Sequence, residues 1–333
     1  MEQIKLTKLD KRILYELDIN ARISLRQLGR KTGASQERVH YRLKRLEHAG
    51  VIASYRTIIN SHRLGYESFR IYLKLRNADL EKEREIIRFL ADEPIVGWLV
   101  SVSGKWDLNL WVMVKETTEF SDFLRRLERR YKHYLSDVWV SVFYQITQYP
   151  KDFLLEKPRT LDEGMAFISP EPRIEHDEKD VLILRALSEN ARASLLSIAR
   201  KVGLGSQQTR ARIRALEKKR IILGYRAVID HAKIGYAYYK MILWLKDWSE
   251  ENVRSIMSYT RQHQNLFYTD EVTNGGDIEV EFLTRGKEHM QRILEEYRNR
   301  FAEMIASYEI QEYPKEHKLV FLPPEEKKPF TPS

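Results

Sequence analysis

The chain of 333 residues contains no cysteine. Disulfides, thiolate-ligated zinc or iron–sulfur centres and thiol catalysis are thereby excluded, since each needs a sulfur ligand or nucleophile. No apolar run reaches the ~18 to 20 residues of a membrane span, and the opening MEQIKLTKLD lacks the apolar centre of a signal peptide. A soluble, cytoplasmic protein with no membrane partner is expected. Nucleotide-binding signatures are missing too. Gly203-x-Gly205 runs into Ser206-Gln207-Gln208 instead of a third glycine, and Gly104-Lys105 and Gly286-Lys287 lack the upstream glycine of a phosphate loop. The nine histidines form no i, i+4 pair and no other metal-ligand spacing. No metal, no cofactor and no catalytic residue is expected from these patterns.

What is present is a repeat. At 43% hydrophobic and 32% charged residues the chain can bury real cores, and its length is about twice that of a common domain. A shift of 170 residues superposes Asn20-Ala21-Arg22 on Asn190-Ala191-Arg192, Arg30-Lys31-x-Gly33 on Arg200-Lys201-x-Gly203, and Tyr55-Arg56 on Tyr225-Arg226. Of 57 residues aligned this way 21 are identical, far above chance, so a duplication of a unit of about 150 residues is the economical reading. The match weakens further on, where Gln148-Tyr149-Pro150-Lys151 is answered by Glu312-Tyr313-Pro314-Lys315. The proline-bearing, aperiodic stretch 151–173 reads as a linker of about 20 residues, long enough to let the copies pair about a pseudo-twofold axis.

Each unit opens with three short helical patterns. Leu9, Ile13, Leu14 and Leu17 lie at helical spacing, Ser24 and Ser35 stand at N-cap positions, Gly33 supplies a turn, and Val39, Leu43 and Leu46 fall at i, i+4, i+7. Gly50 ends the third helix before a β-like stretch, 52–59. That order predicts a winged helix-turn-helix. Burying Val39, Leu43 and Leu46 turns Gln36, Arg38, His40, Tyr41, Arg42, Lys44 and Arg45 outward beside Ser35. The second copy offers Ser206, Gln207, Gln208, Arg210, Arg212 and Arg214. Arginine and lysine neutralise phosphates or grip guanine edges, and glutamine and serine reach base edges, so this inventory suits a helix in the major groove of double-stranded DNA. A charge run is ordinarily a solvated face. Here residues 10–56 carry a charge of +6 and 180–226 a charge of +8 in a chain of net +9, so the positive charge is concentrated in the two helical modules.

The rest of each unit alternates differently. Strand patterns at 69–75, 99–102, 108–114 and 139–146 and amphipathic helices at 80–90 and 120–134 give the order βαββαβ. An antiparallel sheet with two helices on one face follows, and its open face would be covered by a second copy. The fold class expected is α+β, a tandem duplication of a winged helix-turn-helix plus a ferredoxin-like βαββαβ sandwich. The boundaries read as 1–58 and 59–150 for the two domains of the first copy, 151–173 for the linker, 174–228 and 229–320 for the second copy, and 321–333 for a disordered tail.

Asp10-x-x-Ile13-Leu14-x-x-Leu17, Asn20-Ala21-Arg22-x-Ser24, Ser35-x-x-x-Val39-x-x-Arg42-Leu43-x-x-Leu46-Glu47 and the turn Gly104-x-x-Asp107 together resemble the Lrp/AsnC (feast/famine) family of transcription regulators. The resemblance covers both halves, although members of that family usually hold one copy. It implies that the sheet domain is a regulator-of-amino-acid-metabolism (RAM) domain, which self-associates through its sheet and takes a small effector, often an amino acid, near that turn. By position the effector residues would be Ser101, Gly104 and Asp107, and Thr273, Gly276 and Asp277. The ordinary alternative for Gly104 is a hairpin glycine and for Asp107 a turn-capping carboxylate.

A second resemblance points elsewhere. Sirohaem decarboxylases are similar in this two-domain unit and work in pairs, and Trp98, Trp106 and Trp111 would then line a tetrapyrrole pocket. No histidine pair stands beside Trp98 or its counterpart Tyr268, and such an enzyme has little reason to keep a basic reading helix.

Overall fold

The computed structural model describes residues 3–157, 159 and 164–323. Its first three helices are α1 (Lys8–Ile19), α2 (Leu25–Thr32) and α3 (Gln36–His48). Thr7 and Asp10 close a capping box on α1, Ser24 and Gln27 do so on α2, and the Ser35 side chain accepts from the Arg38 N–H at the start of α3. Gly33 (φ 70°) sits in the left-handed region that the turn between α2 and α3 requires. The second copy repeats the module as α6 (Glu178–Glu189), α7 (Leu195–Val202) and α8 (Ser206–Lys218).

The strand after each module, β1 (Ile52–Ile59) or β7 (Ile222–Ile229), pairs antiparallel with its counterpart from the other copy. The Asn-Ala-Arg motif locks this ribbon. The Ala21 N–H donates to the Tyr225 carbonyl, the Ala191 N–H donates to the Tyr55 carbonyl, and the Arg22 and Arg192 guanidiniums stack over Tyr225 and Tyr55. Among the identical residues of the repeat, Ala21, Arg22 and Tyr55 with their counterparts hold one copy against the other.

The sheet domains comprise β2 (Glu67–Leu75), α4 (Leu80–Asp92), β3 (Val96–Ser103), β4 (Leu108–Val114), α5 (Thr117–Tyr131) and β5 (Leu135–Gln148), then β8 (Ala237–Leu245), α9 (Glu250–Gln262), β9 (Leu266–Thr273), β10 (Ile278–Thr284), α10 (Lys287–Arg300) and β11 (Ile305–Leu319). The strand order β2-β4-β3-β11-β8-β10-β9-β5 closes on itself through β2–β5 pairing, all antiparallel. Two long strands make this closure. The first half of β5 pairs with β2 and its second half with β9, while β11 pairs with β8 and then with β3. Outside the ring, Ile71, Leu110 and Val112 pack on Ile86, Leu90 and Phe123, and Met241, Val280 and Phe282 pack on Ile256, Ile293 and Tyr297. Each such side chain contributes on the order of 1.5–3 kcal/mol by leaving water.

Two expectations change. The stretch 151–173 is not an open spacer: Phe153 and Leu154 are buried, and β6 (Met165–Ile168) extends the sheet beyond β5 with Phe167 and Ile168 in the core. Proline and glycine content concealed four apolar residues that the closed assembly buries. Phe321 and Leu322, expected within the tail, are buried. Positions 158, 160–163 and 324–333 lie outside the described residues. Among the described residues no helix is long and apolar enough to cross a membrane.

Candidate nucleic-acid interface and interior cavity

Helix α3 buries Val39, Leu43 and Leu46 and leaves Gln36, Arg38, His40, Lys44 and Arg45 exposed, with Tyr41 at 66% exposure. Helix α8 buries Thr209, Ile213 and Leu216 and exposes Ser206, Gln207, Gln208, Arg210 and Arg214. Two of the expected reading residues are used inside the module. The Arg42 Nε donates to Asp10 Oδ1 at 2.7 Å and its Nη2 donates to Thr7 Oγ1 at 2.8 Å. Burial alone would raise the Asp10 carboxyl, but the bonds from Arg42 and Thr7 outweigh it and hold the group below the usual carboxylate range. Arg212 bonds Asp177 and Asp180 in the same way at 2.9 and 2.8 Å. These arginines clamp the third helix to the N-terminus of the first. Sequence spacing places them on the outward face but cannot show the carboxylate that waits there.

The two turns sit at the seams between copies. Asp107 Oδ2 accepts from the Leu75 N–H at 2.7 Å and Asp277 Oδ2 from the Leu245 N–H at 2.6 Å, so each carboxylate ties its turn to the end of the neighbouring strand, β2 or β8. Ser101 is hydrogen-bonded to His317 Nε2 at 2.8 Å. Gly104 has φ 145°, and a Cβ on Gly276 would lie 2.3 Å from Ile242 Cγ2. Thr273 is exposed and pairs in register with Val142 of β5. Asp107 and Asp277 are thus engaged in the fold, and Gly276 stands where a side chain would meet Ile242.

A cavity of about 730 Å3 lies between the β1/β7 ribbon and the mouth of the sheet ring. Its walls include Trp98, Trp111, Phe143, Phe167, Phe267, Tyr268 and Phe321, and its charged groups are balanced, Arg56, Arg70, Lys151, Arg226 and Lys315 against Asp230, Asp270, Glu281, Glu312 and Glu316. Trp106 is elsewhere, stacked on Tyr72 with centroids 5.6 Å apart, so the expected trio of tryptophans is not brought together. His231 is the one histidine among the described lining residues, and burial pushes it down to about 3, which keeps it neutral. Deeper in the ring, Arg70 and Lys240 are fully buried against Asp270, Glu279 and Glu281. Burial first, then the Asp270 charge, raises Glu281 to about 7, whereas Arg70 and Lys240 outweigh burial at Glu279 and hold it at about 2. Beyond Trp98 and Trp111 this interior was not legible in the sequence, because its members come from many strands of both copies.

The AsnC-type helix-turn-helix domain matches residues 6–47 and 177–217. An uncharacterised HTH-type transcriptional regulator of Pyrococcus horikoshii is 34% identical over 115 residues, 34% of this chain and 77% of that protein. The HTH-type transcriptional regulator FL11 of Pyrococcus furiosus is 28% identical over 119 residues, covering 36% and 78%. Among solved structures the sirohaem decarboxylase NirDL is similar in fold over 95% of this chain and 94% of its own, with a TM-score of 0.63 at 16% identity. The chain therefore belongs to the AsnC-type helix-turn-helix family of transcription regulators and carries that family's unit twice in one polypeptide.

Proposed function

We propose that the chain binds double-stranded DNA through α3 and α8 together, as a single-chain equivalent of a dimeric regulator. The observation that carries this is the β1/β7 ribbon, which fixes two basic, exposed third helices in one body. The contacting residues would be Ser35, Gln36, Arg38, His40, Tyr41, Lys44 and Arg45, and Ser206, Gln207, Gln208, Arg210 and Arg214, with Arg42 and Arg212 positioning the helices. Affinity measured by gel retardation should fall by orders of magnitude between ~50 and ~200 mM salt if ~6 to 10 phosphates are neutralised. A flat salt dependence would refute the reading. An effector at the turns would use Thr273 and backbone groups beside Gly104 and Gly276, since Asp107 and Asp277 are engaged. A thermal-shift screen of amino acids tests this, because a ligand at 100 times its Kd adds about 2.7 kcal/mol of stability. Association of whole chains would use the exposed Val142 and Tyr144 on β5, and light scattering of Tyr144→Asp measures it.

A tetrapyrrole-processing enzyme is the second reading. The cavity favours it, with Trp98 and Trp111 in its wall, as does the shared fold with NirDL, which was solved in co-complex with an iron-uroporphyrin III analogue. The lone His231 and the retained basic faces of α3 and α8 favour the regulator. Adding iron-uroporphyrin to the protein and following the Soret band, then the product mass, separates the two.

A further inference from the structure

The two third helices end in the same backbone turn but are held differently. At the end of α3 the Gly50 N–H donates to the Glu47 carbonyl and the Val51 N–H to the Leu46 carbonyl, and Arg220 and Ile221 repeat both bonds at the end of α8. Just before β8, Lys233 of the second copy crosses to the first, and its Nζ donates to the Ala49 carbonyl at 3.1 Å. A cation there also meets the negative end of the α3 dipole. Arg63 is its counterpart at a shift of 170 residues. The two backbones match. The Lys233 N–H donates to Asp230 Oδ1 at 3.2 Å and its carbonyl accepts from the Ile4 N–H at 2.7 Å, while the Arg63 N–H donates to Asn60 Oδ1 at 3.3 Å and its carbonyl accepts from the Ile174 N–H at 2.8 Å. Only the side chains part, Arg63 turning to Glu171. One residue accounts for this. Gly50, at φ 66°, leaves the seat of the ammonium open, since a Cβ there would lie 2.4 Å from Lys233 Nζ. Its counterpart Arg220, at φ 54°, carries that Cβ. The same approach to the end of α8 is thereby closed, and Lys219 Nζ bonds the Glu175 carbonyl ahead of its own module at 2.9 Å.

We propose that Lys233 is a positioning residue for DNA recognition, fixing the end of α3, and not that of α8, to the sheet domain of the other copy. The proposal rests on the DNA-binding reading above. Lys233 acts through α3: it sets the pitch of one reading helix against the ring, so only that half-site feels its loss.

The test is hydroxyl-radical footprinting and gel retardation of the full chain on a duplex selected from random sequence. Tyr41→Ala and Arg210→Ala first mark which half of the footprint belongs to α3 and which to α8. Lys233→Met should bind about five- to tenfold more weakly, the size of one charge-assisted bond at a helix end, with protection fading over the α3 half alone. Lys233→Arg, which keeps a cationic donor, should restore it. Gly50→Asn keeps the left-handed turn but places a Cβ in the seat, and should give the same one-sided footprint. Added to Lys233→Met it should cost less than about twofold more, because both remove one contact. Gly50→Asn also stands in for Lys233→Met should that variant fail to fold. Equal fading of both halves, a parent-like footprint in Lys233→Met, no restoration by Lys233→Arg, or full additivity overturns the proposal while DNA binding stands. A parent chain that retains no duplex at low salt overturns the DNA-binding reading, and this proposal with it.

Discussion

At the scale of single residues, the same amino acid does different work on one helix face. Arg42 and Lys44 are both outward by periodicity, but Arg42 is tied to Asp10 and Thr7 while Lys44 is exposed and pairs only with Glu47 at 3.0 Å. Arg42→Ala is expected to cost about 1 to 3 kcal/mol of stability, because it leaves the largely buried Asp10 carboxylate without its cation. Lys44→Ala should leave the melting temperature in place and lower DNA affinity and its salt slope. Paired thermal melts and gel shifts of the two variants check this division. His263 offers a pH prediction. Burial, then the charge of His289, depresses it to about 4, and its Nδ1 accepts the Asn265 N–H at 3.1 Å. The unfolded chain takes up this proton near pH 6.5 and the folded one only near 4, so this histidine's stabilisation is complete above 6.5 and is lost as pH falls through that window. His263→Gln should flatten the acid limb of a stability-versus-pH curve by about 1 to 3 kcal/mol.

At the scale of elements, the ring joins five buried contacts between two cations and three carboxylates to an otherwise apolar architecture. One carboxylate is in excess, and Glu281 bears it. Its folded value of about 7 exceeds the unfolded one, so the folded state holds the extra proton and stability falls as pH rises from about 4.5 to 7. Glu281→Gln keeps an acceptor for the Tyr238 hydroxyl and should be more stable than the parent at pH 8, the gain shrinking toward pH 5 in denaturant titrations. Lys240→Met, which leaves three acids with Arg70 alone, should cost about 3 to 5 kcal/mol. The helices and their caps, by contrast, follow from local signals. Ser24, Gly33 and Ser35 act where spacing puts them because a cap satisfies backbone groups within three residues of itself.

At the scale of the whole molecule, duplication in one chain lets the two reading faces diverge. Arg38, His40, Tyr41 and Arg45 are answered by Gln208, Arg210, Ala211 and Ala215. A binding site selected from random duplexes should therefore consist of two unlike half-sites, and a selected site with perfectly matching halves for the monomeric chain would contradict this.

The sequence by itself determined the repeat, the three-helix modules, the βαββαβ order and the concentration of positive charge, because each is set by spacing within about 15 residues or by direct comparison of the two halves. The tertiary structure decided what the strands and charges meet. Ring closure by β5 and β11, the burial of Phe153, Phe167 and Phe321, the Arg42–Asp10 and Arg212–Asp180 clamps and the facing of Arg56 and Arg226 across the ribbon all depend on residues up to some 200 positions apart. Hydrophobic periodicity says which face of a strand or helix is buried; it carries no record of which partner buries it.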